Sequence, residues 1–307
     1  MPSIIDLCSS RRFTILIDEL DKGWDASEDA KAFVSGLFQS SISINQLNPN
    51  LRVFISLRRE LYDNIPSLYE DAQKIRDIIE ILNWDESNLR KLITNRIRFS
   101  IPELKNIEDD EKVWNHIFSE NIDYRKAKSF NYMVDRTLMR PREFIHICGE
   151  TADSAKKNKN FPANYHEISD AEVRYSEERA KDIVSEYRFQ YPGLDTIFEI
   201  FRGKTYNLNR NELEEICLGI STGEYKVSRE ATWVNDQDPE YLIDILWRVG
   251  FIKAQSIGKS KGVQRSGSRY VGYYQFPNLL LSNVLRFHVH ALFRTYLGMR
   301  ETRETKT

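Results

Sequence analysis

The segment Phe13 to Asp25, FTILIDELDKGWD, sets four carboxylates behind a short apolar run: Asp18, Glu19, Asp21 and Asp25. Phe13 to Ile17 is β-rich and does not alternate, which is how a strand buried on both faces reads. An aspartate at the end of such a strand is held firmly enough to carry Mg2+, usually through water. A glutamate beside it can orient or deprotonate the attacking water. On this reading Asp18 holds Mg2+ and Glu19 is the catalytic carboxylate. The same acids also suit an ordinary acidic turn leaving a sheet. A second apolar run, Arg52 to Leu57, ends at Arg58. In a parallel sheet both ends fall on one carboxyl edge, where ligands bind, and a guanidinium there can face phosphate oxygens. Arg140 and Arg142 flank Pro141, which suits the first turn of a helix. Guanidinium donors beside free backbone N–H groups suit anions. Each arginine alone also suits a solvated charge or an ion pair.

The last third offers a different chemistry. Helical patterns at 193–201, 210–219 and 239–249 precede two strand-like runs, FIKAQS and RYVGYYQF. Three helices and a two-stranded hairpin are the pattern of a winged helix-turn-helix. The loop between the strands, IGKSKGVQRSGSRY, carries Lys259, Lys261, Arg265 and Arg269 and no acid. Such a hairpin can grip nucleic-acid phosphates, or it can be a solvated loop on a module that docks protein. The helix expected to enter a groove, DPEYLIDILWRVG, starts acidic, which counts against base readout. His288 and His290 form H-x-H, without the third and fourth ligands a metal needs, and read as core or surface histidines.

The elements that position these residues follow from punctuation and pattern. A helix is expected from about Asp25 to Leu47, and the turn NPN introduces the second strand. A third strand is expected at Ile78–Leu82, and Asp85 is suited to cap a helix from Glu86 to about Arg98. Beyond residue 100 strands disappear. Lys156–Tyr165, KKNKNFPANY, reads as a linker, and Ser169-Asp170-Ala171-Glu172 reads as a capping box opening a helix to about Gln190. The chain has 307 residues and carries 44 Lys+Arg against 46 Asp+Glu, hence a net charge of −2. Nucleic-acid contact would therefore need a local patch. No apolar run approaches the ~20 residues of a membrane span, and the first residues are too acidic and short for a signal-peptide core. Three scattered cysteines, Cys8, Cys148 and Cys217, fit a reducing cytoplasm.

Taken in order, these segments resemble a bacterial P-loop ATPase of the STAND/AAA-like kind, from its Walker B strand onward. RRFTILIDELDKGWD is similar to Walker B, LRVFISLRREL to the sensor-1 strand, ILNWDESNLRKLITNRI to the opening of the helical lid, and MRPREFIHIC to the arginine-bearing sensor-2 region. DPEYLIDILWRVGFI with the following wing is similar to the C-terminal winged helix. The resemblance implies an α/β plus mainly α fold: a partial P-loop NTPase parallel sheet, a helical lid and a winged helix-turn-helix. The corresponding domains are 1–100, 101–165 and 166–307. It implies an ATP-dependent switch, in bacterial defence or regulation, using ATP and Mg2+ with Arg58, Arg140 and Arg142 sensing nucleotide. A phosphate loop needs G-x-x-x-x-G-K-[ST]. Gly203-Lys204-Thr205 and Gly258-Lys259-Ser260 have Phe198 and Lys253 where the earlier glycine belongs. Walker A is therefore expected from an upstream segment or a partner chain. Its strand would enter between Arg52–Leu57 and Ile78–Leu82, whose facing edges are expected to be unpaired. Self-association and DNA contact through the wing are further expectations. DELD also matches a helicase box, but the downstream helicase motifs are not found in the sequence. The alternative is a non-enzymatic winged-helix module for DNA or protein.

Overall fold

The computed structural model describes residues 8, 11–22, 24–58, 61–62, 65, 76–255 and 270–301. The chain is a mixed α/β protein in two compact units, Met1–Leu82 and Asn83–Thr307.

In the first unit β1 (Phe13–Ile17) and β2 (Leu51–Ile55) pair in parallel, from Phe13 opposite Leu51 to Ile17 opposite Ile55. Between them runs α1 (Glu28–Leu47), which starts where Ser27 Oγ accepts the Ala30 N–H at 3.2 Å. Val34 of α1 joins Trp24, Leu61 and Ile65 in a small core, with Phe38 and Leu57 against it. Only Val53 of the strand pair is buried. Leu16 is 75% and Phe54 59% exposed, and Phe13 and Ile15 are exposed as well. The expectation of a strand buried on both faces is thus corrected: among the described residues no second layer covers this pair. The outer edge of β2 is not open at Val53. Its N–H donates to Asn45 Oδ1 at 2.7 Å and its carbonyl accepts from Asn45 Nδ2 at 3.0 Å. One side-chain amide therefore takes the place of a neighbouring strand. The expected third strand does not form. Arg76–Ile78 is a single 3-10 turn, the residues after it are irregular, and Leu82 is 84% exposed. An apolar run becomes a strand only beside a pairing partner, and none lies beside this one among the described residues.

The second unit is built on two cores. The first gathers α2 (Glu86–Ser100), α3 (Asp110–Ile117), α4 (Ser129–Val134), α5 (Pro141–Asn158) and the start of α6 (Tyr165–Glu186) around Trp114. Asp85 caps α2 by accepting from Asn88 N–H at 2.7 Å, as its position predicts. The Trp114 ring lies 4.3 Å from Phe118, 5.2 Å from Phe130 and 5.9 Å from Phe144, and its Nε1–H donates to Ser129 Oγ at 2.9 Å. Lys156–Tyr165 is not a linker but the tight turn between the packed helices α5 and α6. Nor does α6 open at Ser169–Glu172. It opens at Asn164, whose Oδ1 accepts from Tyr165 N–H and whose own N–H donates to Glu167 Oε2 at 3.0 Å.

The second core holds α7 (Leu194–Glu199), β3 (Asn207–Asn209), α8 (Arg210–Ser221), α9 (Pro239–Arg248), β4 (Ile252–Gln255), β5 (Tyr270–Val271), β6 (Arg286–Val289) and α10 (Ala291–Arg294). The sheet is antiparallel in the order β3-β6-β4-β5. Phe251, just before β4, is buried in this core, 4.4 Å from Phe198, 4.9 Å from Phe201 and 4.8 Å from Phe293. Helix α6 belongs to both cores: Ile168 and Tyr175 pack in the first, Ala180 and Ile183 in the second. Among the described residues no helix is long and apolar enough to cross a membrane.

Candidate functional site

The parallel pairing of β1 and β2 brings Asp18, Glu19 and Arg58 to one carboxyl edge. Ser56 N–H donates to the Ile17 carbonyl at 2.8 Å, carrying the pairing one step past β2. Asp18 and Glu19 are exposed, and Glu19 N–H donates to Asp18 Oδ1 at 2.8 Å. Glu19 holds φ at +60°, a left-handed conformation unusual for a side chain of its size. The Lys22 ammonium lies 3.7 Å from its carboxylate. Arg58 reaches not Asp18 but Asp21, with Nη2 2.9 Å from Oδ2. Asp21, a member of the acidic run with no separate role in the sequence reading, thus orients the arginine.

Arg140 and Arg142 lie in the second unit, at the start of α5. Arg140 donates through Nη1 and Nη2 to the two carboxylate oxygens of Glu186, at 2.7 and 3.2 Å, and stands 3.9 Å from Glu143. Glu143 is buried and accepts the Leu138 N–H at 2.6 Å. Burial pushes its carboxyl up from the usual range, against the pull of Arg140. Arg142 is exposed and makes no hydrogen bond or ion pair with another described residue. Lys259, Lys261, Arg265 and Arg269 lie outside the described residues. Gly203 lies in the turn after α7, where its N–H donates to the Leu297 carbonyl at 2.9 Å, and Lys204 stands over the Tyr225 ring at 5.1 Å. That turn has no free cradle for a phosphate.

Sequence reasoning missed a buried polar network in the second unit. Glu172 of α6 is buried. It lies 2.8 Å from Arg136 Nε and accepts from the Tyr132 hydroxyl at 2.8 Å and from the Thr295 hydroxyl. Burial pushes Glu172 up, but Arg136 and these hydrogen bonds outweigh it and hold the carboxyl below its usual range. Nearby, Lys253 stands opposite His288 across β4 and β6, and His288 stacks on Tyr270 with ring centroids 3.3 Å apart. Burial lowers both groups, His288 to about 3. His290 accepts the Leu292 N–H at Nδ1 and is fully enclosed; its Nε2 has no partner. Burial, then Lys253, Arg294 and Arg136, holds its pKa well below the ordinary value. Among the described residues no three His, Cys, Asp or Glu side chains gather as a metal site. This does not bear on Mg2+, which takes one or two carboxylates and keeps several waters.

The FunZ-associated C-terminal helical domain family matches residues 87–184. These are α2 to α6, the first core of the second unit. A putative transposon gamma-delta 80.3 kDa protein of Escherichia coli (strain K12) is 27% identical over 257 residues, 80% of this chain and 35% of that protein. The chain thus spans about a third of that relative's length. The allergen Alt a 2 of Alternaria alternata is 26% identical over 155 residues, 49% of this chain and 73% of the allergen. No solved structure matches. What these likenesses establish is a FunZ-associated helical segment in a chain similar to part of a transposon-associated protein.

Proposed function

We propose that the chain carries the metal- and water-handling part of an ATP-dependent molecular switch, with the phosphate-binding loop supplied by an upstream segment or a partner chain. One observation carries the reading: β1 and β2 are parallel and in register, so Asp18, Glu19 and Arg58 leave the sheet at the same edge. Bound Mg2+–ATP would supply the transferable phosphoryl group and a cation that offsets its charge. Asp18 would hold that cation through water, as a hard carboxylate oxygen suits Mg2+. Glu19 would orient the attacking water and accept its proton. Arg58, steadied by Asp21, would face the charge that grows on the phosphoryl oxygens. The left-handed backbone at Glu19 costs of order 1–3 kcal/mol, and such strain concentrates at ligand sites, which favours this role over an ordinary acidic turn. Arg140 and Arg142 would sense the nucleotide from the lid.

On this reading the C-terminal helices and ribbon form a winged helix that docks protein or grips DNA through Lys259, Lys261, Arg265 and Arg269. The setting would be a bacterial cytoplasm, in defence or regulation, with self-association. The transposon link of the relative favours the second reading, a non-enzymatic module that binds DNA through this wing. The test is steady-state ATP hydrolysis by the chain joined to a segment bearing G-x-x-x-x-G-K-[ST]. Glu19→Gln is expected to lower kcat by about 10²-fold or more while ATP binding persists. An unchanged kcat would remove Glu19 from the mechanism. No hydrolysis by the joined protein, with DNA binding retained, would favour the second reading.

A further inference from the structure

The turn between α5 and α6 meets the loop between α3 and α4 at one end of the first core of the second unit. Ser119 N–H donates to the Ala163 carbonyl at 2.8 Å, and Ala163 N–H to the Ile117 carbonyl at 2.7 Å. Asp123 and Asn164 bond twice: Asp123 N–H donates to Asn164 Oδ1 at 2.8 Å, and Asn164 Nδ2–H to Asp123 Oδ2 at 3.0 Å. These bonds tie together two segments that carry exposed cations and aromatic rings. Lys156, Lys157 and Lys159 come from the α5 end, and Arg125 and Lys126 from the loop. All five are exposed, and none makes an ion pair with another described residue. In the loop Asp123 is bonded to Asn164, and exposed Asp153, one turn before Lys156 and Lys157 on α5, makes no ion pair with either. Tyr124 is 86% and Phe161 50% exposed. Tyr124 meets Tyr165 edge-on at 5.6 Å, and the Arg125 guanidinium lies 5.8 Å from the Tyr165 ring.

Two features set this surface apart from an ordinary charged one. Lys156 and Lys157 fall in the last turn of α5, where cations offset the helix dipole, but Arg125 and Lys126 have no such task. Tyr124 holds φ at +62°, so a bulky ring is kept in a conformation that costs free energy and is turned to water rather than into the core. An exposed ring beside unpaired cations fits a ligand that offers both flat π-faces and phosphates, and single-stranded nucleic acid offers both. Stacking accepts any base, and the cations follow the backbone.

We infer that Tyr124, Phe161, Arg125, Lys126, Lys156, Lys157 and Lys159 form a single-stranded nucleic-acid surface, separate from the wing and independent of the ATPase reading. The probe is a labelled oligothymidylate of about 20 nucleotides, long enough for one such surface, with fluorescence anisotropy of the full chain read across a salt series. K156Q/K157Q/K159Q is expected to weaken binding at least tenfold and to make the salt slope shallower by about 2, since a single strand contributes about 0.7 per phosphate neutralised. Tyr124→Asn, which keeps a residue suited to the left-handed conformation, is expected to weaken binding about tenfold with the slope unchanged, as loss of one stacked base predicts. The wing variant K259Q/K261Q/R265Q/R269Q should bind oligothymidylate like the parent. The inference is overturned by any of four results: no binding at low salt, equal affinity for duplex of the same length, a preference for polyglutamate, or loss of binding in the wing variant alone. Circular dichroism melting of each variant separates loss of the surface from loss of the fold, and both sets of side chains are exposed enough to change without unfolding it.

Discussion

Acid should weaken the second unit through His290, and by an amount that follows from its burial. The imidazole accepts the Leu292 N–H at Nδ1, so its proton sits on Nε2, in a site enclosed by protein and faced by Lys253, Arg294 and Arg136. Burial and these cations hold its folded pKa well below the unfolded value of about 6.5. The sign follows directly: with the folded pKa depressed, the neutral ring's contribution is intact above pH ~6.5 and is lost below it, where only the unfolded chain takes up the proton. At about pH 5 the unfolded chain gains roughly 2 kcal/mol from this one group, at about 1.36 kcal/mol per unit. That is a large share of a margin of about 5–15 kcal/mol. His288, also depressed, adds to the effect but is half-exposed and screened, while buried Glu143, whose carboxyl is raised, acts in the opposite direction. His290→Asn isolates the term. Asparagine can still accept the Leu292 N–H as a helix cap but does not titrate. Urea unfolding followed by tryptophan fluorescence, with Trp114 and Trp247 both buried as reporters, should be compared at about pH 7.5 and about pH 5. The variant's loss between the two should be smaller than the parent's by about 2 kcal/mol. Equal losses in parent and variant would refute the assignment of a neutral, enclosed His290.

Three further outcomes are expected. Limited proteolysis should remove the first unit before the second, and a fragment starting at residue 83 should melt cooperatively. A fragment starting at Ser169 should melt lower, because it loses the Asn164 cap and the core partners of Tyr175. Arg140→Ala should lower unfolding free energy by about 1–3 kcal/mol in denaturant titration, since it removes two charge-assisted hydrogen bonds to Glu186 and takes a guanidinium from beside buried Glu143. Gly193→Ala should cost about 2 kcal/mol by the same assay, because φ is +73° there and a Cβ would collide with Ser228 Oγ.

The parts of the fold legible in the sequence are those in which local chemistry and tertiary role agree. Phe13–Ile17 and Arg52–Leu57 read as strands and pair as strands. Asp85 and Pro141 start helices where the carboxylate and the ring favour doing so. Misreadings arose where one residue serves a distant partner. Ser169 and Glu172 have capping-box spacing, but Glu172 is spent on Arg136, Tyr132 and Thr295, and the true cap lies five residues earlier than Ser169. Ile78–Leu82 has strand composition without a neighbour. The three Lys of KKNKNFPANY look like a solvated linker because composition does not show that Asn164 ties the turn to Asp123. At the candidate site the sequence indicated which residues share an edge. It did not indicate that Asp21 would hold Arg58, since two acids three residues apart in a turn are equivalent until the chain is folded.

Glu172 also constrains how this sequence can diverge. Its carboxylate answers a guanidinium and a phenol one helical turn apart, at 136 and 132, and a hydroxyl from far along the chain, at 295. Replacing it alone takes the carboxylate from a largely enclosed guanidinium, and replacing Arg136 alone leaves Glu172 a buried, unmatched anion, at about 3–5 kcal/mol. Exchange for a packed apolar set can be neutral only when the members change together. Descendants should therefore keep residues 132, 136, 172 and 295 as a block or replace them as a block. A paralogue carrying an apolar residue at 172 beside an intact Arg136 should be unstable, which makes these four positions a compact test of whether a distant sequence shares this core.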